Sequence, residues 1–320
     1  MTTYAIDLPA IHDAARRITG WAHRTPVMTC QTLDRLAGRS LFFKCENFQK
    51  VGAFKFRGAC NAVFALPDAA AARGVATHSS GNHAQAVALA ARLRGIAAHI
   101  VMPRNSAAVK VRAVEGYGAR VILCEATQAA REAAARQVIE ETGATLVHPY
   151  DDASVIAGQG TAALELLEQV ADLDAVIAPV GGGGMLSGTC VTLAALRPAA
   201  RVFAAEPAGA DDAARSFAAG RRIPLAEANT IADGLRTSLG ELTWPILRAH
   251  VERVFTVGEE QIVAAMRLVW ERMKILVEPS SAVPVAAVLS EEFRGVDAAR
   301  VGVILTGGNV DLGRLPWGEG

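Results

Sequence analysis

The sequence predicts an α/β protein in which parallel sheets are covered by helices on both faces. Three observations carry this expectation. About half of the 320 residues are apolar, enough to fill a large core and to support two lobes. From about residue 74 onward, short β-branched runs alternate with amphipathic helical stretches, the order that parallel sheets need. The glycine-rich and polar clusters fall just after strand-like runs and at helix starts, where open α/β sheets bind their ligands.

In chain order, GVATHS (74–79) reads as a strand leading into the helix NHAQAVALAARLRG (82–95). AAHIVMP (97–103) precedes the helical SAAVKVRAVEGYG, and ARVILCE (119–125) precedes the Ala-rich QAAREAAARQVIEE, a strong helix former. TLVHPY (145–150) follows as a strand. AVIAPV (175–180) leads into a glycine-rich helix start, RVFAAEP (201–207) into DDAARSFAAG, and RVGVILTGG (300–308) lies near the C-terminus. No internal repeat or low-complexity linker interrupts this pattern.

Composition narrows the function. Lys+Arg and Asp+Glu both number 32, so the charge is balanced and neither nucleic acid nor an anionic membrane is an expected partner. A small molecule is. The N-terminus MTTYAIDLPA carries an acid where a signal peptide would carry a basic start and an apolar run. Ala175 to Leu196 contains no charge and has the length of a membrane span, but Pro179 and the run Gly181–Gly184 suit a strand, a turn and a helix better. Cys30, Cys45, Cys60, Cys124 and Cys190 are scattered without a CxxC, as expected of reduced core thiols in a cytoplasmic protein.

Three clusters carry chemistry. Gly181-Gly182-Gly183-Gly184 follows a strand and opens a helix, so its backbone N–H groups and the helix N-terminus suit a phosphate. A tight turn alone would not need four glycines. The run only approximates GxGxxG: Ser187 stands at the third glycine position, and no Walker lysine follows. Glu206 at the end of RVFAAE still leaves an NAD-dependent oxidoreductase as a rival reading. Ser79-Ser80-Gly81-Asn82-His83 is either a helix cap or a loop whose N–H groups take a carboxylate. Lys55, between Phe54 and Phe56, would be partly desolvated and so a better nucleophile, although a lone lysine is more often solvated.

Together, Ala53-Phe54-Lys55-Phe56-Arg57-Gly58, Ser79-Ser80-Gly81-Asn82-His83 and Gly181-Gly182-Gly183-Gly184-Met185 resemble the fold-type II pyridoxal-phosphate (PLP) enzymes. The resemblance is to their serine racemase, serine/threonine dehydratase and 3-hydroxyaspartate dehydratase branch. Glu46-Asn47-Phe48-Gln49-Lys50, His148-Pro149, Ala157-Gly158-Gln159-Gly160-Thr161, Ala232-Asp233-Gly234, Glu278-Pro279 and Thr306-Gly307-Gly308-Asn309 extend it over nearly the whole chain.

That resemblance implies two α/β lobes around the cofactor, a small one at 74–150 inserted in a large one formed by 1–73 and 151–320. Lys55 would be the Schiff-base residue and move protons on one face of the cofactor, with Ser80 on the other. Gly181, Gly182, Gly183 and Gly184 would hold the phosphate, and Asn82 the ring hydroxyl. Phe54, Met185 and Glu278 would border the cofactor, and Thr306 would meet the ring nitrogen. A neutral hydroxyl there makes a weaker electron sink than a carboxylate, which suits elimination better than transamination. The loop Ser79, Ser80, Gly81, Asn82 and His83 would take the substrate α-carboxylate, and Arg131 a distal carboxylate.

Glu206, Ala210 and Asp212 would form a site for Mg²⁺, or Ca²⁺ or Mn²⁺, through two carboxylates and a carbonyl. Read alone, EPAGADD is an acidic helix start in which Asp211 and Asp212 meet the dipole. The implied reaction is dehydration and deamination of a β-hydroxy amino acid, with 3-hydroxyaspartate to oxaloacetate the preferred case. Serine or threonine deamination and racemisation are the alternatives. A homodimer is implied, and no regulatory domain is expected after Asn309. His12 and His23, read into an N-terminal helix, and His250 are expected to be solvated. Trp244, Trp270 and Trp317 are expected to pack, and His78 and His148 to border the cleft.

Overall fold

The protein is described from a computed structural model that covers residues 4–106 and 108–317. Ten strands lie in two sheets among these residues. They are β1 (Val27–Met28), β2 (Ser40–Cys45), β3 (Val75–His78), β4 (Ala98–Pro103), β5 (Arg120–Cys124), β6 (Thr145–Leu146), β7 (Ala175–Pro179), β8 (Arg201–Pro207), β9 (Val251–Val257) and β10 (Arg300–Leu305). The larger sheet runs β1-β2-β10-β7-β8-β9, parallel except for the edge strand β1. The smaller runs β5-β4-β3-β6 and is parallel throughout. This is the predicted α/β architecture of parallel sheets covered by helices.

Why the central strands read as unbroken apolar runs is visible in their two faces. Along β7, Ala175 and Ile177 face a cluster shared with Phe203, Val301 and the helices Glu259–Met273 and Pro279–Leu289. Val176 and Ala178 face the opposite cluster, with Val202, Ala204 and the helices Leu8–Ile18, Ala153–Gln169 and Gly184–Leu196. Side chains alternate with period two, and both faces are buried, so no polar position is called for. The small sheet repeats this pattern: Val75 and Ile100 face one cluster, Ala76 and Val101 another.

The helix Lys55–Ala65 joins the two halves. Its Phe56, Ala59, Cys60 and Val63 belong to the apolar cluster of the small sheet, together with Val87 and Ala91 of the helix Asn82–Arg94. Its other side meets the helix Ala153–Gln169 where two glycines touch: a Cβ on Gly158 would lie 2.6 Å from the Gly58 Cα. The same helix approaches Gly184–Leu196 through Gly160 and Gly188, where a Cβ on Gly188 would lie 2.5 Å from the Gly160 nitrogen. Three helices are thereby stacked at backbone contact, and the Lys55 helix is tied to the helix that the four glycines open.

Two expectations need correction. The strand expected over 145–150 ends at Leu146. The Val147 carbonyl is taken by the Thr77 hydroxyl (2.8 Å) and the His83 ring (3.0 Å), and Pro149 has no N–H to continue a ladder. His23 lies beyond the N-terminal helix, which ends at Ile18, and its Nδ1 bonds the Phe48 carbonyl at 3.1 Å. The uncharged stretch from Ala175 resolves into β7, the glycine turn and a helix. No helix among the described residues is long and apolar enough to cross a membrane.

Candidate active site

A cavity of about 460 Å³ opens between the two sheets, at the carboxyl ends of β3, β7 and β10. All three motif clusters line it. So do Phe54, Met185, Arg131, Glu278 and Thr306, and Tyr150, Lys110 and Asn309 besides.

Lys55 is the first residue of its helix, and its Nζ donates to the Pro149 carbonyl at 2.6 Å. Burial lowers its pKa to about 8, against a smaller opposing pull from Glu278. The desolvation expected from two flanking phenylalanines comes about differently. Only Phe54 approaches the amine, with its ring centre 5.0 Å away; Phe56 turns into the core beneath Lys50. The cavity wall as a whole does the desolvating.

Both anion-binding candidates are helix starts without a side-chain cap. Gly81 precedes Asn82–Arg94, and Gly183, in the left-handed region at φ 91°, precedes Gly184–Leu196. Their first N–H groups are therefore available to a ligand. The glycine loop is a fitted cradle: a Cβ on Gly182 would sit 2.2 Å from the Tyr150 ring, and one on Gly183 2.8 Å from Leu247. The Thr243 hydroxyl fixes the loop by donating to the Gly182 carbonyl at 2.8 Å. A narrow glycine cradle over an uncapped helix, with a low-pKa lysine in the same cavity, fits a phosphorylated aldehyde such as pyridoxal phosphate.

On the facing wall, Thr306 ends the β10 segment with its hydroxyl 3.1 Å from that of Ser281. Glu278 is buried and feels the positive charges of Lys55 and Lys110. Asn82 donates to both of its oxygens (2.9 and 3.1 Å), and burial raises its pKa to about 7. His83 donates from Nε2 to the Val147 carbonyl and keeps a buried Nδ1 without a partner among the described residues, and burial lowers the pKa of this ring well below its usual value. His78 lines the cavity, while His148 stands behind it, 5.7 Å away in a T-shaped contact. The His148 Nδ1 accepts from the Asp151 N–H, and its pKa is lowered to about 4 by burial.

Glu206, Ala210 and Asp212 sit together outside this cavity, at the end of β8 and the start of the helix Asp212–Ala219. Glu206 accepts from the Ala213 and Ala214 N–H groups (3.1 and 2.6 Å), and Asp212 from Leu239 N–H (3.1 Å). Both carboxylates are buried, and desolvation raises their pKa values to about 8 and about 6. No third His, Cys, Asp or Glu side chain completes a metal set among the described residues, so a cation here would need carbonyl and water oxygens. Glu206 does not line the cavity, which removes the ground for a ribose contact there.

Sequence reasoning passed over three features. Tyr150, directly after His148-Pro149, covers the glycine loop; its place at the end of the strand-like run TLVHPY was the available signal. Arg57, fully buried, bonds Glu46 (2.7 Å) and Glu165 (2.7 Å), and Lys44 bonds Glu165 (2.6 Å). These two cations and two anions anchor the Lys55 helix, and removing one member costs about 3–5 kcal/mol in comparable buried pairs. Nothing local marks Arg57 as buried. Lys110 meets Asp233 at 2.6 Å across the cavity mouth. The cysteines are all free and none lines the cavity; burial raises Cys45 and Cys60 to about 12.

The chain is similar to known proteins along nearly its full length. Residues 18–307 match the family model described as pyridoxal-phosphate dependent enzyme. A β-hydroxyaspartate dehydratase of Paracoccus denitrificans is 54% identical over 97% of this chain and 98% of its own length. A serine racemase of Arabidopsis thaliana is 53% identical over 98% of this chain and 96% of its own. The solved structure of maize serine racemase superposes with a TM-score of 0.96 at 52% identity, covering 97% of this chain and 95% of that one. An uncapped glycine cradle, a desolvated lysine beside it, and this likeness along nearly the full chain lead to one assignment: the chain belongs to the pyridoxal-phosphate-dependent enzymes.

Proposed function

We propose that the protein dehydrates and deaminates a β-hydroxy amino acid, and that its substrate is 3-hydroxyaspartate. Loss of water and hydrolysis of the resulting enamine, which takes the water back, give oxaloacetate and ammonia. The observation that carries the choice of substrate is Arg131. It lines the same cavity as Lys55, and its Nε is buried without a hydrogen-bond partner among the described residues. A guanidinium in a cavity wall can give a carboxylate two parallel bonds, which an amide or hydroxyl there could not.

Bound pyridoxal phosphate supplies the electron sink that makes the substrate Cα–H acidic. Gly181, Gly182, Gly183 and Gly184 would hold its phosphate, Met185, Phe54 and Glu278 would border it, and the Thr306 hydroxyl would meet the ring nitrogen. Lys55, with its lowered pKa, carries the cofactor and then takes the Cα proton. The N–H groups of residues 79–83 bind the α-carboxylate, and Arg131 the distal one. Residues 74–150 form a small lobe that closes the loop 79–83 over the substrate and excludes water. Glu206, Asp212 and the Ala210 carbonyl hold Mg²⁺, or Ca²⁺ or Mn²⁺, and the chain works as a cytoplasmic homodimer.

Racemisation is the second reading. Ser80 lines the cavity that holds Lys55, so a second proton carrier is at hand, and a serine racemase is 53% identical.

Arg131→Gln tests the substrate. Losing a charge-assisted pair costs about 1.5–3 kcal/mol, roughly 10- to 100-fold in kcat/KM. The fall is expected for 3-hydroxyaspartate, with serine changed less than threefold. An equal fall for both substrates would exclude a distal-carboxylate role.

A further inference from the structure

We infer that Asp151 is a positioning residue for the cofactor's phosphate: it fixes the segment 239–243, on which the glycine loop rests. This depends on the reading of Gly181–Gly184 as the phosphate cradle and adds to it a residue outside the loop. Four consecutive backbone N–H groups make the contacts. That of Leu239 donates to Asp212 (3.1 Å) and that of Gly240 to the Gly182 carbonyl (3.1 Å). The Glu241 and Leu242 N–H groups both end on the Asp151 carboxylate, one on each oxygen, at 2.9 and 2.8 Å. These two stand just before the helix Thr243–His250, which has no side-chain cap of its own. A carboxylate from another segment thus takes donors that the helix start leaves open, and meets the positive end of its dipole. The fit is close: a Cβ on Gly240 would collide with the Asp151 Oδ1.

The Gly182 carbonyl is where this segment meets the loop. It accepts from both the Gly240 N–H and the Thr243 hydroxyl (2.8 Å), so it is held towards 240–243. The peptide that carries it is planar and trans, so the Gly183 N–H points the opposite way. Gly183 lines the cavity and stands at φ 91° before an uncapped helix. Anchoring 240–243 therefore sets the direction of one N–H that the cradle offers to an anion. The turn that carries Asp151 is held independently of its carboxylate. The Asp151 backbone N–H donates to the His148 Nδ1 at 2.8 Å, and the Pro149 carbonyl receives the Lys55 Nζ at 2.6 Å. Removing the carboxylate releases the phosphate side of the site and leaves the Lys55 side in place.

The test compares two aldehydes, PLP and pyridoxal, which lacks the phosphate, in wild type, Asp151→Ala and Asp151→Asn. The readout is the dissociation constant of each, titrated through the visible band formed with Lys55, with far-ultraviolet circular dichroism as the check on folding. Asp151→Ala is expected to weaken PLP about tenfold, as hydrogen bonds to a charged group are lost, and to change pyridoxal less than about twofold. Asp151→Asn keeps one accepting oxygen for the two N–H groups and is expected to fall between wild type and Asp151→Ala. Equal weakening of both aldehydes, or PLP affinity unchanged in Asp151→Ala, would overturn the inference while the cofactor reading stands. Should Asp151→Ala fail to fold, the same comparison on Asp151→Asn decides. A wild-type protein that binds PLP no more tightly than pyridoxal would overturn the phosphate cradle itself, and one that gains no colour with PLP the cofactor reading.

Discussion

Lys55 shows how residue-scale chemistry arises from surroundings that a sequence does not spell out. Its flanking phenylalanines suggested desolvation, and the amine is indeed desolvated, but by Phe54 and the cavity wall while Phe56 packs elsewhere. Its pKa of about 8 lies below the usual lysine value near 10.4, so the free amine appears two decades of proton concentration earlier. In the cofactor-free protein, the rate of PLP uptake is expected to rise with pH and level off just above 8. Between about 8 and 10.4 the unfolded chain holds a proton that the folded chain has released, so this lysine makes the cofactor-free protein more stable as pH rises through that window. An uptake rate that climbs without levelling until pH 10 would show an ordinary lysine. Arg131 marks the opposite limit: its own segment reads as a solvated helical charge, only the resemblance singled it out, and the structure places it in the cavity wall.

At the scale of elements, the strands and helices after residue 74 were legible because their local patterns agree with their burial. β3, β4, β7, β8 and β10 are apolar on both faces, and the helices between them repeat the helical period. The Lys55 helix and β2 gave no such signal. The helix is buried on nearly every side, holds Arg57 in its interior, and is placed by the backbone contact of Gly58 with Gly158. Such contacts join residues a hundred positions apart, so no local window contains them. The glycine loop stood out in the sequence as a tight strand-to-helix turn, but the Tyr150 ring packed against it did not. Gly182→Ala would drive a methyl group to 2.2 Å from the Tyr150 ring, far inside van der Waals contact. PLP affinity measured by equilibrium dialysis is expected to fall more than tenfold, with the far-ultraviolet circular dichroism retained. Affinity within twofold of wild type would show that Tyr150 does not hold the loop in place.

Over the whole molecule, the active cavity lies between two sheets that share a helix and are bridged at the mouth by Lys110 and Asp233. Both side chains of that pair are substantially exposed, so the bridge contributes little to stability and suits a cleft that must open. The buried Lys44, Glu46, Arg57 and Glu165 cluster, by contrast, is balanced in charge and ties β2 to the Lys55 helix and to the helix Ala153–Gln169. The proposed closure of the cleft would supply what elimination needs: substrate entry, then exclusion of water.

The most direct test of this account is release of 2-oxo acid and ammonia by PLP-loaded protein. The panel is each 3-hydroxyaspartate stereoisomer, L-serine, D-serine and L-threonine, with Mg²⁺ and with chelator. The account predicts that one hydroxyaspartate isomer has the highest kcat/KM, yields oxaloacetate and ammonia in equal amounts, and loses rate with chelator. Absence of oxo acid from every compound, with the Lys55 chromophore intact, would contradict the elimination reaction itself.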